Sequence, residues 1–331
     1  MPELSVVLIS KNQAWNIGRL IDSVLQGTAA VLAREIVLVD SASTDKTVAL
    51  AAGYPVRVLQ LQPEQPLSPA AGRYVGSQHV HGKWILFLDG DMELCPGWIE
   101  RALRVIQAQP DVAVVTGPLI DVLPTTLPEQ KPRLPLSLDG CPSEVPVACG
   151  AALYRRSVLE AVGTFNPYLC SEEEPELCLR IRHAGFRVVE LSYPIAYHYS
   201  QPSDAFSTLL RRWQANLYLG DGQVLRYHLR SPVLWTYLRE RGYVCLPGFA
   251  LGIGVGSALW ALHSQSWSFL MAWFLLLGVV IISDAYRKRS LGRTIFSLLH
   301  RLIIVDGTIR GFFRSPLPPE SYPSKLLVVK G

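Results

Sequence analysis

Forty consecutive residues, 244–283, carry no Asp, Glu, Lys or Arg. A single helical span of the bilayer core uses about 20 residues, so the segment is too long for one span and suits two. The polar break His263-Ser264-Gln265-Ser266 divides it. Trp260, Trp267 and Trp273 suit interfacial or near-interfacial positions. Gly248, Gly252 and Gly256 recur at four-residue spacing, which lets a helix pack closely on its neighbour. Arg239 and Arg241 precede the segment, and Arg287, Lys288 and Arg289 follow it. Basic flanks and an uncharged connecting turn place both ends on the cytoplasmic side, so the expected location is an inner membrane with the preceding domain facing the cytoplasm. The competing expectation is a helical hairpin buried inside a soluble protein. Apolar residues make up 49% of the 331 and the mean hydropathy is +0.23, in keeping with a chain partly in lipid.

The first ~115 residues follow another rule, in which short apolar runs alternate with helical stretches. Strands are expected at 4–9 (LSVVLI), 35–39 (EIVLV), 56–61, 84–88 (WILFL) and 112–115. Helices are expected through Ile17 to Leu25, Thr47 to Ala52, Pro69 to Val80, and onward from Pro96. Near-continuous apolar strands separated by helices predict an α/β fold with a mostly parallel sheet covered on both faces. Ligands of such sheets bind at the carboxyl ends of the strands. Residues 121–146 hold Pro124, Pro128, Pro132, Pro135, Pro142 and Pro146 and predict a long loop. Beyond it come a segment around 150–154, a helix from Arg156, the acidic run Glu172-Glu173-Glu174, a helix from Pro175 to Ala184 and a strand at 187–191.

Four regions result. They are a catalytic-type domain over 1–200, amphipathic linker helices over 201–243, a transmembrane hairpin over 244–283 and a basic amphipathic interfacial tail over 284–331. In the tail, Leu291, Ile295, Leu298, Leu302, Ile309 and Phe312 recur at helical spacing with Arg293, Arg301, Arg310 and Arg314 between them, which fits contact with anionic membrane lipids. A net charge of +4 is too weak to indicate nucleic acid as a partner. Six cysteines without a C-x-x-C pair argue against a zinc site or disulfide framework and for reduced thiols. No signal peptide is expected, because Met1-Pro2-Glu3 runs directly into the first strand.

Asp89-Gly90-Asp91 follows the strand WILFL directly. Two carboxylates at this spacing can share a hard cation such as Mg²⁺ or Mn²⁺ with a diphosphate. Alone, the tripeptide is also what any strand-ending turn favours. Its neighbours make the pattern specific. Ser10-Lys11-Asn12, the turn Asp40-Ser41-Ala42-Ser43-Thr44-Asp45, Gly72-Arg73-Tyr74-Val75-Gly76, Gly150-Ala151-Ala152, Gly163-Thr164-Phe165-Asn166 and Glu173-Glu174-Pro175-Glu176 follow in order. Over roughly residues 4–200 this set resembles the inverting glycosyltransferase family 2, whose catalytic domain has the GT-A fold.

The resemblance implies a nucleotide-sugar donor, with UDP-sugar as the expected one, and a lipid-linked or glycan acceptor near the membrane. It implies Ser10, Asn12, Asp40, Arg73 and Asp89 as donor-binding residues, with Asp40 at the base and ribose and Arg73 facing the diphosphate or base. Asp91, Asp89 and His198 are the implied metal ligands, with Asp91 direct. Glu174 matches the catalytic base, with Glu173 beside it, and Glu176 is expected to be structural. Asp45 reads equally as a helix cap. Ser41 stands where the family commonly has a second Asp, and Tyr74 where it has Asn. Arg212-Trp213 is similar to the end of a signature of processive synthases, but Leu209 replaces its Gln, which points to transfer of single sugars. Two other readings remain open at this point. One is a sugar nucleotidyltransferase, disfavoured because 10–13 lacks glycines; the other is a non-catalytic membrane scaffold keeping the fold.

Overall fold

The computed structural model describes residues 2–126, 130–134, 141–200 and 206–331. Pro128 and Pro135 of the expected long loop lie outside the described residues. The chain divides into two compact units, Met1–Gln201 with Leu317–Gly331, and Pro202–Pro316.

The first unit is built on a mixed sheet. Its parallel core is β3 (Arg57–Leu61), β2 (Arg34–Asp40), β1 (Leu4–Ser10) and β4 (Trp84–Asp89), in that spatial order. Every residue of β1 is buried, and its side chains alternate between two cores. Leu4, Val6 and Leu8 join one core, and Val7 and Ile9 join the other. Helix α1 (Ile17–Gly27) contributes Leu20 and Val24 to the first, and α3 (Pro69–Gln78) contributes Ala71 and Val75 to the second. A strand buried on both faces has no polar side to show, which is why these runs read as unbroken apolar stretches.

Past β4 the sheet changes sense. Strand β9 (Ala152–Arg155) enters antiparallel between β4 and β6 (Val112–Thr116), and β10 (Arg187–Glu190) and the two-residue β8 (Ser143–Glu144) complete that side. A second sheet of three short strands has the order β5 (Met92–Leu94), β11 (Ala196–Tyr199), β7 (Leu119–Val122). The expected helix from Pro175 starts earlier, as α6 (Glu173–His183), with Glu172 at φ 63° before it. Pro175 falls in the first turn, where its missing N–H has no intrahelical role.

The expected tail over 284–331 ends differently from its reading. Residues 317–331 belong to the first unit, where β12 (Leu326–Lys330) pairs antiparallel with β3 at the sheet edge. Its run LLVVK is β-branched and apolar enough to pair, and pairing covers an edge that would otherwise expose its backbone groups.

The second unit is helical. It comprises α7 (Phe206–Gln214), α8 (Gly220–Tyr227), α9 (Val233–Arg241), α10 (Leu246–Ser264), α11 (Ser268–Lys288) and α12 (Leu291–Phe312). Two of its helical stretches, Val233–Ser264 and Ser268–Lys288, are long and apolar enough to cross a membrane, with mean hydropathies of 1.7 and 2.1. Only 11% and 0% of their most apolar windows are buried, the reverse of a core hairpin. The close approach between α10 and α11 does not use the evenly spaced glycines. Nothing lies within 4 Å of a Cβ built at Gly252 or Gly256, whereas one at Gly254 would meet the Trp273 ring at 2.6 Å. Trp273 Nε1 donates to the Ala250 carbonyl (2.9 Å), so the ring is pinned over Gly254. Helix α12 meets α8 and the turn before it backbone to backbone, since a Cβ at Gly222 would strike Thr308 O and one at Gly311 would strike Leu219 O.

Candidate functional site

Three parallel strands end side by side at Ser10, Asp40 and Asp89, as the register pairs Ser10 with Asp40 and Ile9 with Asp89. A cleft of about 240 Å³ opens there. Ser10, Lys11, Gln13 and Ser41 line one part, Asp89-Gly90-Asp91 another, and Leu67-Ser68-Pro69 form the wall between β3 and α3. Gln13 and the 67–69 wall were not read from the sequence as site residues. Ser68-Pro69 did carry a signal, that of an N-cap followed by proline, and Ser68 Oγ does accept from Ala71 N–H (3.1 Å).

Asp40 is fully buried and its oxygens are spoken for. Oδ2 accepts from Ser10 Oγ (3.1 Å) and Ser43 Oγ, and Oδ1 from Ser43 N–H (2.7 Å) and Gln60 Nε2 (3.3 Å). With no accessible surface it shapes the cleft through Ser10 and Ser43 and does not itself face a ligand, contrary to the sequence reading. Asn12, at φ 55°, ties the first loop to the second. Its N–H donates to Ser43 Oγ (2.7 Å) and its Oδ1 accepts from Thr44 N–H (2.9 Å). Asp45 lies one residue before Lys46, the N-cap of the helix over Thr47–Ala52, and accepts from Thr47 N–H (2.9 Å) and Ala14 N–H (3.1 Å). Desolvation works against its charge, but these bonds outweigh it and hold its pKa below the usual carboxylate value.

Arg73 is 1% exposed and does not face the cleft. Its Nη2 is shared by Asp89 Oδ1 (2.7 Å), Glu174 Oε1 (2.8 Å) and the Gly150 carbonyl (3.3 Å), and its Nη1 holds Glu173 Oε1 (2.9 Å). One buried cation therefore gathers three carboxylates, one from the end of β4 and two from the start of α6. Gly150 permits this, because a Cβ there would come within 2.7 Å of Asp89 Oδ2. Burial pushes Asp89 up to about 7 against the pull of Arg73, with Glu174 and Asp91 adding to the rise. Burial also lifts Glu173 to about 7, aided by Glu174 and opposed by Arg73. Burial lowers the pKa of Arg73, yet Asp89, Glu174 and Glu173 together hold it above the ordinary guanidinium value. Glu173 is 6% exposed and pinned, whereas the Glu174 side chain keeps 16% of its surface. Glu176 is structural: it grips Arg180 (2.7 and 2.8 Å), which in turn bonds the carbonyls of Val162, Gly163 and Thr164.

The three-stranded sheet places His198. Strand β11 pairs with β5 at Met92 on one side and with β7 at Asp121 on the other, so His198 lies beside both Asp91 and Asp121. Its Nδ1 is 2.7 Å from Asp121 Oδ1, and its Nε2 is 3.6 Å from Asp91 Oδ2, a charge contact just outside hydrogen-bond range. Asp91 first and Asp121 second push the imidazole up to about 9, against burial. Asp121 was not anticipated, since its partner lies 77 residues away. Asp91 Oδ1 is buried with no hydrogen-bond partner. An orphaned carboxylate oxygen beside an imidazole fits a divalent cation, which would satisfy that atom. Among the described residues no three His, Cys, Asp or Glu side chains converge to hold a metal by themselves.

The family model described as Glycosyl transferase family 2 matches residues 5–163. This part of the chain is a family 2 glycosyltransferase domain. The match ends before Glu173, Glu174 and His198. Polypeptide N-acetylgalactosaminyltransferase 6 from Bos taurus is 31% identical over 137 residues, 40% of this chain. The chain spans only about a fifth of the first curated relatives, 22% of that protein and 19% of a Drosophila melanogaster polypeptide N-acetylgalactosaminyltransferase 3. Glycosyltransferase AglE from Haloferax volcanii is 27% identical over 232 residues, 68% of this chain and 74% of its own. Among solved structures, the mannosyltransferase PcManGT from Pyrobaculum calidifontis, in complex with GDP-Man and Mn²⁺, aligns with a TM-score of 0.59 at 18% identity, covering 94% of this chain and 87% of its own. Residues 1–349 of S. aureus TarS with UDP-GlcNAc align at 0.52 and 17%, covering 99% and 96%. At these identities the structures speak for the fold, and the family 2 domain here has GT-A architecture.

Proposed function

We propose that this protein transfers a sugar, with inversion, from a nucleotide-sugar donor to a hydroxyl of a membrane-proximal acceptor. One observation carries the reading. Arg73 Nη2 binds both Asp89, on the wall of the cleft, and Glu174, so a donor-side carboxylate and a candidate base are held within reach of one nitrogen. The relatives' donors support nucleotide sugars of two kinds, UDP-GlcNAc and GDP-Man, and a UDP-sugar remains the expected donor here.

In the proposed reaction Glu174 accepts the proton of the acceptor hydroxyl. The acceptor oxygen bonds to the anomeric carbon as the bond from that carbon to the diphosphate breaks, and the nucleoside diphosphate leaves. One carboxylate suffices, because no covalent intermediate forms. Asp91 and His198 would hold Mg²⁺ or Mn²⁺, and when bound that ion offsets charge on the departing diphosphate. Asp121 fixes the imidazole, Glu173 and Arg73 fix Glu174, and Ser10, Lys11 and Ser41 line the donor's place. The two apolar helical stretches support a membrane-attached enzyme with its basic flanks toward the cytoplasm, which keeps the domain near a lipid-linked or glycan acceptor.

Membranes carrying the full chain, supplied with a panel of UDP- and GDP-sugars, test this. Sugar transfer or donor hydrolysis that requires Mg²⁺ or Mn²⁺, with an inverted anomeric product, is expected. Absence of both turnover and donor binding across the panel would return the protein to the scaffold reading.

A further inference from the structure

The chain leaves the catalytic unit at residue 201, forms the helical unit, and returns at Leu317. What it does on return is specific. Tyr322 is buried, its OH donates to the Pro66 carbonyl (2.6 Å), and its ring meets Tyr74 and Tyr168 edge-on at 6.0 and 5.7 Å. The Gln65 side chain then reads the backbone of Lys325 on both sides, with Nε2 donating to its carbonyl (2.7 Å) and Oε1 accepting from its N–H (2.9 Å). Gln62 N–H donates to the same carbonyl (3.1 Å), and β12 zips along β3 from there.

The bonds from Tyr322 and Lys325 land on Gln62, Gln65 and Pro66, in the segment that leads into Leu67-Ser68-Pro69, the outer wall of the donor cleft. The β12–β3 ladder also reaches Gln60, which faces Leu327 across it while its side chain bonds Asp40. A proline-rich turn such as Pro63 to Pro69 makes few backbone bonds of its own, so its position is set by what grips it from outside.

We propose that the returning segment 317–331 is a strap that positions the cleft wall, with Tyr322 and Gln65 as positioning residues for donor binding. The proposal rests on the glycosyltransferase reading for its ligand, though not for its mechanics. No strap residue touches the reacting atoms, so the strap acts on capture of the donor and leaves the chemical step alone.

Tyr322→Phe removes one hydrogen bond and keeps the ring contacts; Gln65→Leu removes the paired bonds to Lys325. In the full chain in detergent, each variant is measured for donor KM, kcat and backbone hydrogen exchange. Expected is a rise in donor KM of about three- to tenfold, the worth of one lost hydrogen bond, with kcat within about twofold. Amides 67–72 should exchange faster, while those of β6 and α4 (Trp98–Ala108) stay unchanged. A fall in kcat at constant KM, or unchanged KM and exchange in both variants, would overturn the proposal. A loss of melting temperature with no change in KM would also overturn it, since that is what a merely structural segment gives. Should the unaltered protein turn over no donor, the transfer reading fails alone, and exchange at 67–72 still decides whether the strap holds the wall.

Discussion

Replacing Arg73 with methionine removes the charge at the centre of the site while keeping an unbranched apolar stem. Asp89, Glu173 and Glu174 then lose their common partner, each bonded to it at 2.7–2.9 Å. Breaking a buried pair by deleting one member costs about 3–5 kcal/mol, because the other charge is left uncompensated. In a unit of about 200 residues that is a fall of roughly 6–20 °C in melting temperature. The loss depends on pH. Asp89 and Glu173 already stand near 7, above their values in an unfolded chain. Groups raised in this way favour the folded state fully below about pH 4, and that contribution is lost as pH rises through about 7. At pH 5.5 Asp89 and Glu173 are largely protonated and lose little with the guanidinium; at pH 8 both are largely ionised and lose its compensating charge. Calorimetry of wild type and Arg73→Met at these two pH values should show a larger gap at pH 8. Equal gaps, or a gap below about 1 kcal/mol at pH 8, would refute the view that Arg73 holds the three acids together by charge.

Two further outcomes follow from particular contacts. His198 is protonated at neutral pH by virtue of Asp91 and Asp121, and a cation must displace that proton to reach the ring. Mn²⁺ affinity measured by titration calorimetry should therefore rise by about tenfold per unit between pH 7 and 9, the slope of one displaced proton, and the slope should flatten in His198→Asn. In the helical unit, Gly254→Val should destabilise the pair α10–α11 by about 1–3 kcal/mol through its clash with Trp273, while Gly252→Val, facing open space, should be neutral in the same denaturation assay.

The parallel core and its chemistry were legible because they obey local rules. Strands buried on both faces read as apolar runs, and Asp89-Gly90-Asp91 sits where such a strand ends. The helical pair was legible from the absence of charge. What escaped has no local signature. Strands β5, β7 and β11 are three or four residues long, and His198 acquires Asp121 only through their pairing. Arg73 was expected to face the diphosphate or base, and nothing local says that it instead gathers Asp89, 16 residues on, and Glu173, 100 residues on, with the adjacent Glu174. The run 326–329 reads in the sequence as part of the interfacial tail, since nothing local says that it pairs with a strand 265 residues earlier. Glycine spacing misled for a physical reason, since a helix packs where its neighbour offers a large side chain, and Trp273 meets Gly254 rather than the evenly spaced set.

In the proposed mechanism Glu174 removes the acceptor's proton while Asp91 serves the donor side. Transfer and donor binding, measured in parallel on Glu174→Gln with the donor that wild type uses, test it most directly. Donor affinity within a few-fold of wild type and transfer reduced by about 10²–10⁴ are expected. Transfer at the wild-type rate in Glu174→Gln would place the base elsewhere and contradict it.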